Sequence, residues 1–222
     1  MLRVRGEQIR RFDTAGVERP SIGTTDARFT VALEQRFGEQ WRLRLGGDLL
    51  TWGGETLRGK TRPGVSLRLV GTPTDGLAFR SDVLVTKAWQ SAQVGASRKI
   101  PAGSWTLLPA GRVGWTSAAP LQWTLPLGGP DGFPGLHQGE RRGARELFGS
   151  LRLGHALKGP VEVRLLLAGG RTWTSATIES DAWIGGGRLS LGADSPIGPM
   201  DVGYGLATTG RGAFYLRLGQ WF

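Results

Sequence analysis

Arginines recur at even positions along this chain: Arg28, Arg42, Arg44, Arg68, Arg80, Arg152, Arg164 and Arg188. Guanidinium groups gathered on one face would form a field that attracts anions. The carboxylates Glu34, Asp48, Asp82, Glu146 and Glu162 are placed to answer them, so the plainer expectation is pairing that satisfies a polar interior. Other chemistry is thin. Cysteine is absent, which excludes disulfides and thiolate metal sites. The two histidines, His137 and His155, leave little material for a histidine metal site. His137 lies close to Glu140, but no nucleophile motif accompanies it, and the G-x-S-x-G turn of a serine hydrolase is missing. A structural or solvent-exposed His137 is expected. The chain is expected to hold no cofactor and no metal, and not to be an enzyme.

The elements that carry these residues have a period of two. Phe29, Val31, Leu33 and Phe37 alternate with Arg28, Thr30, Glu34 and Arg36; Trp41, Leu43 and Leu45 with Arg42, Arg44 and Asp48. Val65, Leu67 and Leu69 oppose Ser66 and Arg68, and Leu77, Phe79, Val83 and Val85 oppose Arg80, Asp82 and Thr86. The pattern returns with Val161, Val163, Leu165 and Leu167 against Glu162 and Arg164, and with Leu189, Leu191 and Ala193 against Arg188, Ser190 and Asp194. Successive strands therefore carry one apolar face and one face with charges of both signs. Two packed sheets would put those charges in water; a barrel would put them in a wet lumen, where they can pair across it.

Composition narrows the choice. The 222 residues carry a net charge of +10, a balance often found in nucleic-acid binders. The arginines, however, are interleaved with carboxylates on a strand face, so no nucleic-acid partner is expected. Mean hydropathy is −0.18, as suits strands that show lipid only every second residue. No run approaches the roughly 18 apolar residues of a membrane-spanning helix. There are 37 Gly and 9 Trp; Gly suits tight turns and crowded interior positions, and Trp suits interfacial girdles or packing rather than stacking platforms for bases.

Strands are expected near 2–12, 26–37, 40–52, 63–71, 76–87, 90–99, 103–116, 144–154, 160–172, 182–193, 199–206 and 211–222. Each is about ten residues long, enough to cross a bilayer at a tilt. Short turns near Gly38-Glu39, Gly71–Asp75, Pro101-Ala102, Ala156–Gly159 and Ser195–Gly198 alternate with longer links at 13–25, 53–62, 117–143 and 174–181. That alternation is the hairpin topology of an outer-membrane barrel, and a Greek-key sandwich would not give it so regularly. The expected fold is all-β: one domain over 1–222, a transmembrane antiparallel up-and-down β-barrel of about 12 strands. Its partner would be outer-membrane lipid, with homo-oligomerisation left open. Met1–Gly6 lacks the about 7–15-residue apolar core of a signal peptide, so an outer-membrane protein of this sequence is expected to be part of a longer precursor or to have a misassigned start codon.

The last ten residues, Ala213–Phe222, form an alternating strand ending on a terminal Phe, with Phe214, Leu216, Leu218 and Phe222 on one face and Tyr215, Arg217, Gly219 and Trp221 on the other. This ending resembles the C-terminal signal of bacterial outer-membrane barrels. The resemblance implies that Phe214, Leu216, Leu218, Gly219 and Phe222 are read by the barrel assembly machinery during biogenesis.

The longest link, Ser117–Gly143, is dense in Gly and Pro and is expected to be a structured loop rather than a helix. A loop this long in a compact domain usually has a function. Within it, Leu127-Gly128-Gly129 is followed by Pro134-Gly135-Leu136, then Gly139-Glu140 and Gly143. This order resembles the lumen-inserting loop of the BamA/TamA superfamily, the bacterial surface antigen family. Downstream, Ser190–Gly205 resembles that family's penultimate hairpin, with Pro196-Ile197-Gly198-Pro199 as its turn. The likeness covers about residues 105–222 and is nearest to the barrel that follows the patatin domain of patatin-like outer-membrane phospholipases. It implies a loop folded toward the lumen, anchored there by Glu140 with Arg141 and Arg142, and a seam between first and last strands. It also implies a membrane anchor or a protein insertion or translocation scaffold. Three departures stand out. Pro134-Gly135-Leu136 replaces the family's Arg-Gly-aromatic tip, the family barrel has sixteen strands where about twelve are expected here, and no POTRA-type domain is expected ahead of the strands. The alternatives are the barrel portion of a patatin-like phospholipase without its catalytic domain, or a small anion-preferring pore.

Overall fold

Branched and aromatic side chains at every second position favour pleated strands, where one face can be covered and the other left open. The computed structural model describes residues 2–12, 18–54, 57–120, 123–128, 133–137, 140–157, 159–174, 183–195 and 198–218. Its strands are β1 (Leu2–Phe12), β2 (Glu18–Phe37), β3 (Trp41–Gly54), β4 (Leu57–Thr74), β5 (Leu77–Thr86), β6 (Gln90–Arg98), β7 (Ile100–Ala102) and β8 (Trp105–Thr116). They continue with β9 (Leu125–Leu127), β10 (Arg141–Gly143), β11 (Arg145–Ala156), β12 (Val161–Trp173), β13 (Ile184–Ser195), β14 (Gly198–Ala207) and β15 (Gly212–Leu218).

Twelve of these strands form one antiparallel up-and-down sheet in the order β1-β2-β3-β4-β5-β6-β8-β11-β12-β13-β14-β15. The short β7 pairs beside β8, and β9 and β10 make a separate two-stranded ribbon. The expected all-β hairpin architecture is therefore present, and the segments at 90–99 and 199–206 are the strands β6 and β14.

Two expectations are corrected. The first is closure: β1 and β15 are the two edges of the sheet, and no ladder joins them among the described residues. Register in each hairpin is fixed locally, whereas closure needs a pairing between the two most distant strands. Alternation within strands does not encode that pairing. The second concerns the links at 13–25 and 53–62. Most of these residues are paired: β2 begins at Glu18, and β3 and β4 continue to Gly54 and from Leu57. Arg11 faces Arg19 across the first hairpin, and Thr51 faces Thr61 across the second, their hydroxyls 3.1 Å apart. Backbone pairing needs no apolar face, so ladders continue beyond the stretch that hydrophobic alternation marks; the end of β3 pairs with both β2 and β4.

The pleat gives the sheet two different faces. Val31, Leu33, Leu45, Leu49, Val65, Leu167, Leu189, Leu191, Phe214, Leu216 and Leu218 are exposed on the outer face; Leu33 keeps 80% of its surface open. The inner face carries the charges and is partly covered by the connection between β8 and β11. Two apolar clusters hold that connection. Trp123 packs against Leu50, Trp52, Leu84 and Trp89, with the Trp89 and Trp123 rings 5.6 Å apart. Leu127, Phe133 and Leu136 pack with Phe148, Ile184 and Ala207. Trp52 and Trp89 are thus interior packing residues, whereas Trp105, Trp115 and Trp183 are exposed on the sheet or beside it. Among the described residues no helix is long and apolar enough to cross a membrane, a finding that says nothing of β-barrels.

Candidate functional site on the inner face

The long connection folds back on itself before it meets the wall. Leu125, Pro126 and Leu127 pair with Gly143, Arg142 and Arg141, which brings the two ends of the loop together. Gly128, with φ of 121°, turns the chain at the end of this ribbon; a Cβ there would collide with the His137 carbonyl. The tip beyond it, Phe133-Pro134-Gly135-Leu136, is buried as a unit. Phe133 and Leu136 have no exposed surface, and the Phe133 ring meets Phe148 of β11 edge-on at 6.4 Å. Burying side chains of this size contributes about 1.5–3 kcal/mol each.

Glycine makes the seat. Gly135 has φ of 79° and lies so close to β14 that a Cβ would enter the backbone of Leu206 and Ala207. On the wall, a Cβ at Gly205 would come within 2.8 Å of the Gly135 nitrogen, and one at Gly186 within 2.8 Å of the Pro134 carbonyl oxygen. The strand glycines of β13 and β14 thus leave a shallow bed for loop backbone, a common reason for glycine inside a strand.

Polar contacts from the last hairpin complete the docking. The Tyr215 hydroxyl on β15 donates to the Leu136 carbonyl at 2.9 Å, with the Phe133 carbonyl at 3.4 Å. Arg188 of β13 stacks over the Tyr215 ring, 5.2 Å from its centroid. Glu140 accepts from the His137 backbone N–H at 2.8 Å and forms an ion pair with Arg211, Nε to Oε1 at 3.2 Å. Glu140 is thereby tied to Arg211, between β14 and β15. His137 is exposed. Of the other motif residues, Gly143 packs against the backbone of Trp173, while Gly129 and Gly139 lie outside the described residues.

The rest of the inner face is an array of ion pairs. Arg28 Nε meets Asp48 at 2.7 Å, and Thr30 donates to the same oxygen at 2.6 Å. Arg68 and Arg80 both bond to Asp82, one to each oxygen. Arg164 bridges Glu162 at 2.7 Å and Asp201 at 3.0 Å. Glu146, 1% exposed, accepts from Arg112 and from Gln93 at 2.8 Å. Arg152 lines a second cavity beside Arg80 and Arg112. Glu34, Arg42 and Arg44 form no ion pair among the described residues, although Glu34 and Arg44 face each other across β2 and β3. The charges are mostly paired, as a polar interior requires.

Several contributors escape a sequence reading. Arg112 and Asp201 are partners that their strands' alternation could have placed on the inner face. Tyr215 falls on the face opposite Phe214, and that parity was its only signal. Arg211 lies in a turn and gave none. Arg171 has the parity of the outer face yet no exposed surface, because it stacks near Trp173 and Trp183, 4.9 and 5.7 Å from their ring centroids. On the C-terminal strand, Phe214, Leu216 and Leu218 form an exposed apolar row; Gly219 and Phe222 lie outside the described residues.

This strand meander, with an apolar outer face and a loop seated on a charged inner face, has the fold of solved barrels of the BamA kind, with its sheet left open among the described residues. The likeness is direct at the level of structure. BamA from Haemophilus ducreyi, in a crystal structure lacking POTRA domains 1–3, superposes with a TM-score of 0.74 over 88% of this chain at 12% sequence identity. CdiB from Acinetobacter baumannii superposes with a TM-score of 0.61 over 83% of this chain at 10% identity. The matched parts span 54% of the BamA chain and 38% of the CdiB chain, so this chain covers about half or less of either. At such identities the likeness concerns the fold. No protein-family model matches the sequence, and no curated protein matches it.

Proposed function

We propose that this chain is an integral outer-membrane β-barrel domain that anchors to the membrane and serves as a protein insertion or translocation scaffold. The observation that carries the proposal is the tip Phe133–Leu136, buried on the inner wall of a sheet that superposes on BamA and CdiB barrels. A loop held there by glycine beds, Tyr215 and the Glu140–Arg211 pair would occlude the lumen and tie it to the last hairpin, β14–β15. The outer row of Val, Leu and Phe would face lipid, and the paired arginines would face the wet interior.

The deciding experiment is refolding of the purified chain into lipid vesicles, read by gel migration with and without boiling. A heat-sensitive mobility shift with a β spectrum in far-UV circular dichroism is the expected outcome. A chain that stays water-soluble and monomeric without lipid or detergent would remove the membrane reading. The finer reading, that this is the barrel of a longer patatin-like phospholipase, rests on the resemblance over 105–222. Genomic sequence upstream of Met1, with or without a G-x-S-x-G domain, tests it.

A further inference from the structure

We propose that the inner wall formed by β3, β4 and β5 is a binding subsite for a small phosphate-class oxyanion, a property beyond the scaffold reading. Arg44 on β3 stands directly opposite Arg68 on β4, and Arg68 directly opposite Asp82 on β5. Like charges facing each other across a ladder are destabilising unless something neutralises them. Asp82 cannot do so for Arg44, because its two oxygens are taken by Arg68 and Arg80. Asp48 accepts from Arg28 and Thr30 through one oxygen and is not among the residues that line the cavity beside Arg44. Glu34 stands directly opposite Arg44 across β2 and β3, but among the described residues no hydrogen bond or ion pair joins Arg44 to it or to any other group. All four guanidinium groups, with Asp82, line one cavity of about 280 Å³.

The surplus has the geometry of an anion receptor. Arg28, Arg68 and Arg80 keep N–H donors beyond the Nε that is engaged, and Arg44 offers its own, each in a planar fork that matches phosphate oxygens. Ser91 lines the same cavity and adds a hydroxyl donor. Trp123 and Leu125 of the long connection form its apolar edge, so the occupant is a small anion rather than a polymer. Interior pairing engages the Nε of Arg28, Arg68 and Arg80, and nothing on Arg44 among the described residues.

The test is a calorimetric titration of the folded full chain with inorganic phosphate, against chloride at matched ionic strength. It is run in whichever medium folds the chain, so loss of the membrane reading leaves it intact. Wild type is expected to bind phosphate with heat that chloride does not reproduce. Arg44→Gln breaks no described contact and is expected to weaken phosphate binding by about tenfold or more. Lys99→Gln, the same charge change on an exposed turn residue, is expected to leave it unaltered. Should Arg44→Gln not fold, Arg80→Gln, at a half-exposed side chain, serves in its place. Equal heats with chloride, or full phosphate affinity in both arginine variants, would overturn the subsite. A parallel arm replaces phosphate with phosphatidylglycerol micelles. Binding there that is lost with Arg44→Gln, with none for free phosphate, would assign the anion to a lipid headgroup and overturn the solute site.

Discussion

At the scale of single residues, the seat of the loop depends on one hydroxyl and one missing Cβ. Tyr215→Phe keeps the ring under Arg188 but removes the donor to the Leu136 carbonyl. The expected cost is about 1–2 kcal/mol, seen as a lower urea midpoint for the refolded protein. An unchanged midpoint would mean that water already serves that carbonyl. Gly135→Ala is expected to do more, because a positive φ costs a side chain about 1–2 kcal/mol and the added Cβ enters the β14 backbone. Its direct sign would be protease cleavage between Leu127 and Gly143 in protein whose sheet remains folded; a loop equally resistant in both proteins would refute the docking geometry. Charge pairs follow the same logic of exposure. Asp48 has no exposed side-chain surface and holds Arg28 and Thr30, so Asp48→Ala is expected to cost about 3–5 kcal/mol by stranding Arg28. Asp82 is more open, and the matching change there is expected to cost nearer about 1 kcal/mol. Equal losses from the two variants in denaturant unfolding would contradict this ranking.

At the scale of elements, each strand separates an apolar row from a polar one, and the two rows should answer to different solvents. Leu189, 60% exposed in the middle of β13, has the outer parity, while its neighbours Arg188 and Ser190 are buried on the inner side. If the outer row meets lipid, Leu189→Arg should destabilise the vesicle-embedded protein by about 2–4 kcal/mol, the cost of a charge near the bilayer midplane. If that row meets water, the same substitution should be nearly silent. The ends of the β1–β2 and β3–β4 hairpins show how strands can pair beyond the apolar alternation. Their ladders run past the last hydrophobic alternation, and Thr51 and Thr61 join across the strands by a hydroxyl contact. Expecting links at 13–25 and 53–62 therefore shortened real strands, because alternation records burial and not backbone pairing.

At the scale of the whole molecule, the open question of the architecture is its two edges. Among the described residues β1 and β15 each present one unpaired side, and in lipid such backbone groups cost several kcal/mol apiece. Hydrogen exchange of the refolded chain should therefore show the outer-edge amides of β1 and β15 exchanging faster than those of β3, β4 and β5, which are paired on both sides. Uniform protection would mean that the edges are joined or capped in the membrane. Much of this molecule was legible beforehand, since a residue's face follows from the pleat. Alternation at Phe29–Leu33 or Leu189–Ala193 assigned outer and inner rows, and hairpin spacing gave the number and order of the long strands. The Gly- and Pro-rich loop announced itself as well. Pairings were another matter. Arg112 finds Glu146 across 34 positions and Tyr215 finds Leu136 across 79, distances over which no local pattern carries information. The docking of Glu140 on Arg211, the placing of Trp52 and Trp89 in the interior, and the like-charged facing of Arg44 and Arg68 were decided by register between strands. Sequence determined which residues share a face, because backbone geometry fixes that one residue at a time; only the tertiary structure decided which of them meet, because that depends on the summed register of many hairpins.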